Sequence, residues 1–128
     1  MVAVNPRRVV ILAFPGVQPL DVAGPAEVFL GASLLAPGAY TVEVVAGRCE
    51  PILSRGSGYG IVPASTTAAC RGPIDTLMVA GGVGVEDALK DASLVGWVRA
   101  AASRSRRISS VCSGAFLLPR QDCSTVAG

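Results

Sequence analysis

The chain has 128 residues, 51% of them hydrophobic and 16% charged, with a net charge of +2. These values exclude a disordered tail, a collagen-like repeat and a nucleic-acid-binding arm, and the length fits one domain with its own core. Apolar runs such as Val9–Phe14 fall far short of the ~20 residues that span a bilayer.

Arg7–Phe14 is an apolar, β-branched run of the kind buried on both faces of a sheet. Arg7-Arg8 before it looks superficially like a secretion signal. Pro15-Gly16 ends the run, however, and no small-x-small site follows, so a strand and a cytoplasmic location are expected. Leu20–Leu35 has helical spacing, and Gly24-Pro25 predicts two pieces, a short turn and then a helix from about Pro25. After the turn at Ala36-Pro37-Gly38, Tyr40–Ala46 alternates as a second strand. Ile52–Ser54 and Ile61–Val62 flank a glycine-rich stretch and suggest a hairpin or an irregular excursion. Asp75–Ala80 reads as a third, buried strand ending at Gly81-Gly82. Val85–Arg104 reads as one long helix with Ala88, Leu89, Leu94, Val95, Val98 and Ala102 inward and Trp97 in the core. Ile108–Val111 is a fourth strand, after which Cys112-Ser113-Gly114 opens the next element. Strands alternating with helices predict a parallel α/β sheet, which binds ligands beyond the carboxyl ends of its strands.

Histidine is absent, which removes every His-based triad, dyad and metal site within the chain. The cysteines at 49, 70, 112 and 123 contain no C-x-x-C pair and are expected to be reduced thiols, Cys49 and Cys70 as buried structural ones. No metal or cofactor is implied. Arg99, Arg104, Arg106 and Arg107 are read as charge complementing a helix C-terminus. No aromatic residues interleave with them, so neither nucleic acid nor membrane is expected as a partner.

Three groups fall at strand ends. Cys112 lies where a strand meets a helix through small residues, the pattern of a nucleophile elbow, and the positive end of a helix there would favour its thiolate. Gly81-Gly82 would turn bare backbone N–H groups toward a ligand oxygen, with Ser113 beside them, although an ordinary tight turn fits equally. The following residues match neither a dinucleotide fingerprint nor a phosphate loop. Asp21 is either a helix cap or an acid able to share a proton with a thiolate. Glu27 reads as an exposed first-turn residue.

Arg8–Gly16, Leu20-Asp21-Val22-Ala23-Gly24-Pro25-Ala26-Glu27-Val28-Phe29, Asp75–Gly82 and Val111–Phe116 stand in the order and spacing of the ThiJ/PfpI superfamily, which the chain resembles from Arg7 to Leu118. The resemblance implies an α/β, flavodoxin-like parallel-sheet sandwich of the class I glutamine amidotransferase type. It is strongest to the amino-terminal domain of GlxA-type AraC-family transcription regulators and to isonitrile hydratases. In the hydratases the positions matching Cys112 and Asp21 are nucleophile and acidic partner. In the regulators the domain senses a ligand, and a separate helix-turn-helix pair binds DNA.

Residues 1–118 are thus expected to form a ThiJ/PfpI-like domain that is incomplete at its carboxy terminus. Residues 119–128 diverge, Pro119 ends the helix after Cys112 early, and a frameshift would account for the tail. An uncovered sheet edge would favour association, with a homodimer as the expected form. The expected roles are, in order, a regulator's ligand-sensing domain without its DNA-binding part, a cysteine-dependent hydratase or hydrolase, and an inactive fragment.

Overall fold

The computed structural model describes residues 5–119. Strand β1 (Arg7–Leu12) is its centre, because Val9 to Leu12 retain no exposed surface and strands lie on both sides of it. β2 (Tyr40–Ala46) pairs with one edge of β1, Val9 against Val42, and β6 (Ile74–Val79) with the other, Val9 against Thr76. β5 (Ser65–Thr66) extends the sheet beyond β2, and β7 (Ser105–Ser110) extends it beyond β6. All pairings within this sheet are parallel and its order is β5-β2-β1-β6-β7, so the chain reverses its direction of travel across the sheet between β1 and β6. Clefts that receive ligands form at such a reversal. The hairpin of β3 (Ile52–Leu53) and β4 (Gly60–Ile61) stands apart as a second sheet.

α1 (Pro19–Leu35) packs on β2 and β1, while α2 (Val85–Leu89) and α3 (Ala92–Ser103) follow β6, α3 resting on β7 and β6. The core is β-branched and aliphatic, with Phe14, Ile11, Leu12, Leu77 and Val98 its largest fully enclosed side chains. No described helix is long and apolar enough to cross a membrane.

Several expectations are corrected. α1 is not split at Gly24-Pro25 but runs through Pro25. A proline there forfeits one backbone bond, and packing of Val22, Ala26 and Phe29 on the core outweighs that loss. The single helix Val85–Arg104 is broken at Lys90-Asp91, where the Asp91 side chain accepts the Leu94 N–H at 3.1 Å and starts α3 anew. That break turns Leu89 out of the predicted inner face, to 44% exposure. β5 is too short to carry a periodic signal and was not anticipated. Trp97 packs against the core as expected, half-buried, with the Arg104 guanidinium over its ring 5.9 Å from the centre.

Of the arginine cluster only Arg104 stands at a helix end, as the C-cap of α3, whose last turn has no basic residue. Arg104 donates to the carbonyls of Cys70 (2.7 Å) and Gly72 (2.8 Å), Arg106 pairs with Asp75 at 2.6 Å, and Arg107 donates to Thr76 Oγ1 at 3.2 Å. Three of the four arginines therefore fasten β7 and its approach to β6 and the loop before it.

Candidate functional site

Three loops meet at the carboxyl ends of β1, β6 and β7, and glycines let them meet. The Gln18 N–H donates to the Gly81 carbonyl (2.8 Å) and the Gly84 N–H to the Gly16 carbonyl (3.0 Å), which crosses the β1 loop over the β6 loop. Gly82 has φ 137°, and a Cβ on it would lie 2.5 Å from the Gln18 nitrogen. A Cβ on Gly81 would lie 2.8 Å from the Val111 carbonyl oxygen and 2.9 Å from Ser113 N and Oγ. A side chain on Gly114 would overlap the carbonyl oxygens of Val79 and Ala80. Backbone approaches this close leave room for glycine alone.

Asp21 stands in the first turn of α1, so it is not the cap, a position held by Gln18 without a side-chain bond. Its carboxylate reaches across to accept the Gly81 N–H at 3.2 Å. Ser113 Oγ accepts the Gly82 N–H at 3.1 Å. Both glycine N–H groups thus have acceptors from within the chain, whereas the sequence reading left them bare for a ligand oxygen.

Cys112 follows β7 after one residue, Val111. It is exposed, and its φ of 51° makes it the one non-glycine residue with positive φ among the described residues. A left-handed conformation at a residue with a Cβ costs about 1–3 kcal/mol, which surrounding contacts must hold in place. Here the neighbours on either side do so: the Val111 N–H donates to the Val79 carbonyl at 2.9 Å and Ser113 Oγ accepts the Gly82 N–H at 3.1 Å. The element that Cys112 opens is a six-residue 3₁₀ helix, Cys112–Leu117, rather than the α-helix expected, and it ends just before Pro119. The acid and the thiol-bearing turn thus converge on the adjacent glycines Gly81 and Gly82.

Glu27 is exposed and lies deeper in α1 than the first turn. Cys49 is exposed, against the buried position expected, while Cys70 is buried at the far end of the sheet. Burial pushes the Cys70 thiol up, and the nearby Arg8 guanidinium opposes that in part. Cys123 and the divergent tail beyond Pro119 lie outside the described residues.

A cleft of ≈ 570 Å³ lies on the other side of the β1 loop, between Pro15-Gly16, Arg48, the β3 hairpin and Leu94. It contains neither Cys112 nor Asp21, so the thiol opens on the surface and not into that cleft. Sequence reasoning missed the part played by Gln18, Gly16 and Gly84. Pro15-Gly16 was its only trace, read as punctuation.

A parallel sheet with this order, and with an exposed cysteine on a left-handed turn after its edge strand, defines an α/β domain of flavodoxin-like type. The chain belongs to the DJ-1/PfpI family, which it matches over residues 7–125. It is 38% identical over 114 residues to an uncharacterized protein in the cpoL 5' region of Streptomyces lividans, covering 89% of this chain and 79% of that one. It is 44% identical over 45 residues to the HTH-type transcriptional regulator Rv1931c of Mycobacterium tuberculosis, covering 35% of this chain and 17% of the regulator. It is 35% identical over 107 residues to the isonitrile hydratase of Pseudomonas putida, covering 84% of this chain but 44% of the hydratase. A ThiJ/PfpI family protein from Pseudomonas syringae superposes with a TM-score of 0.77 at 29% identity, over 88% of this chain and 44% of that one. The chain therefore spans less than half the length of the hydratase and of this solved structure.

Proposed function

We propose that this chain is the ligand-sensing domain of an AraC-type transcription regulator. It binds a small molecule over Gly81, Gly82 and Ser113 in a reducing cytoplasm, acts as a homodimer, and makes no contact with nucleic acid or membrane itself. Residues 1–118 carry the domain and residues 119–128 diverge from it. One observation supports this reading over catalysis: the Gly81 and Gly82 N–H groups are engaged by Asp21 and Ser113, so the paired glycines offer no free donors for a developing oxyanion. In this role Cys112 supplies a contact surface and Asp21 holds the β6 loop.

A second reading is favoured by the exposed Cys112 at φ 51°. There the sulfur adds to the carbon of an isonitrile, Asp21 relays the proton, and water releases the product. The net reaction adds one water to R–NC to give the formamide R–NH–CHO. It requires a thiolate, so iodoacetamide should modify Cys112 ahead of Cys49.

One experiment separates the two. Wild type and Cys112→Ala are incubated with cyclohexyl isonitrile, following both formamide release and thermal stability. Sensing predicts no product and equal stabilisation of both proteins, ~2.7 kcal/mol at a hundredfold excess over Kd. Product formation by wild type alone establishes the hydratase. No response from either protein removes this ligand class and leaves an inactive fragment in view.

A further inference from the structure

The cleft of ≈ 570 Å³ beside the β1 loop is separate from the turn that carries Cys112. Its size falls within the ~300–1,000 Å³ of pockets that hold small organic molecules. The floor is apolar: Phe14, Ala46 and Leu94 are buried there, and Ile52 of β3 packs beside them. Bonds within the chain fix the walls. The Ala13 N–H donates to the Val45 carbonyl (2.8 Å), which ties β1 to β2 at the floor. The Gly84 N–H holds the β1 loop through the Gly16 carbonyl (3.0 Å), and Asp91 starts α3 on the far wall. Walls held before a ligand arrives leave little to be ordered on binding.

The charges stand at the rim. Arg48 and Glu50 face each other at 4.0 Å, and being 82% and 74% exposed they offset one another. Asp91 has no such counter-ion among the described residues. Its Oδ1 accepts the Leu94 N–H at 3.1 Å, which leaves Oδ2 for a ligand, and Ser93 adds a hydroxyl to the same wall. A net negative rim over an apolar floor suits a molecule with one positive end and a hydrocarbon body. We propose that this cleft binds a small organic cation, its ammonium group donating to Asp91 Oδ2 and Ser93 Oγ and its body lying on Phe14, Ile52 and Leu94. An anion is disfavoured, because the Asp91 carboxylate already occupies the start of α3 and would repel it. The site goes beyond the sensing role and stands whether or not that role holds.

Amide NMR titration of the 128-residue chain with phenylbutylamine, the neutral phenylbutanol and the acid phenylbutyrate tests this. The amine should bind with a Kd on the order of 1 mM, the expected scale for so small a ligand. It should bind about fivefold tighter than the alcohol, with the acid weakest. The largest shifts should fall on the amides of Gly47, Ile52 and Leu94. Asp91→Asn keeps an oxygen to cap α3, so the fold is retained. It should bring the amine down to the affinity of the alcohol and leave the alcohol unchanged. Ser93→Trp, on an exposed wall, should block all three probes, and Cys112→Ala should alter none. Wild type that binds amine and alcohol equally, that prefers the acid, or whose amine binding survives Asp91→Asn overturns the cation. No binding by any probe, binding that survives Ser93→Trp, or shifts centred on Gly81 and Ser113 overturns the cleft as the site.

Discussion

Asp21 and Gly81, 60 residues apart in the chain, are joined by a 3.2 Å hydrogen bond from the glycine N–H to Asp21 Oδ2. The bond links the first turn of α1 to the loop that follows β6, across the point where the sheet reverses its order. Gly81 is buried and Asp21 half-buried, so water cannot readily replace the carboxylate.

Asp21→Ala should therefore destabilise the fold by about 1–2 kcal/mol, because it strands a buried N–H. Asp21→Asn keeps an acceptor oxygen and should lose less. Urea denaturation of the three proteins checks the order, and equal midpoints for Asp21→Ala and wild type would show that the bond contributes nothing.

Gly114 and Gly96 should respond oppositely to alanine. A Cβ at Gly114 overlaps two backbone carbonyl oxygens, which cannot swing aside as a side chain would, and Gly114→Ala should cost about 3 kcal/mol or more. Gly96 sits within α3 with open space around it, so Gly96→Ala should gain ~0.5–1 kcal/mol by restricting the unfolded chain. Thermal unfolding of both variants reads the contrast directly, and a tolerated Gly114→Ala would mean that the Cys112 turn does not press on β6.

Acid should weaken the link between β6 and β7. The Arg106 hydrogen bond at 2.6 Å holds the Asp75 carboxyl below its ordinary value, with Thr76 donating to the same group. A depressed carboxylate contributes its full stability above the unfolded value of about 3.9 and loses it as pH falls through the lower native value. The gap in stability between wild type and Asp75→Asn should thus be constant from neutral pH to about 5 and close below 3.9. A gap that persists at pH 2 would assign the effect to packing rather than to ionisation.

Among Cys49, Cys70 and Cys112, Cys70 should be the last to react. It is 3% exposed and burial raises its thiol, so both access and thiolate are scarce. Peptide mapping after iodoacetamide treatment should find Cys70 unmodified until the chain is unfolded. Early labelling there would mean that the end of the sheet near Arg8 opens readily.

The strands read at Arg7–Phe14 and Asp75–Ala80 were legible because their centres, Val9–Leu12 and Leu77–Val79, are unbroken apolar stretches of the kind a strand covered on both faces requires, and the strand-to-small-residue junction at Cys112 marked a sharp turn. Composition alone also excluded histidine chemistry. The continuity of α1 through Pro25 and the break at Asp91 were not legible, because each depends on energies that the local pattern omits. One is burial against a sheet that is distant in sequence, and the other is a single capping bond.

The candidate site divides in the same way. The sequence by itself determined which groups stand at strand ends, since that follows from local alternation of strand and loop. Only the tertiary structure decided that Asp21 and Ser113 occupy the very N–H groups the glycines seemed to offer, because hydrogen-bond partners 60 and 31 residues away are chosen by how the strands are ordered. The same ordering left one face of α1 uncovered, which no periodicity within that helix could distinguish from the face that is buried.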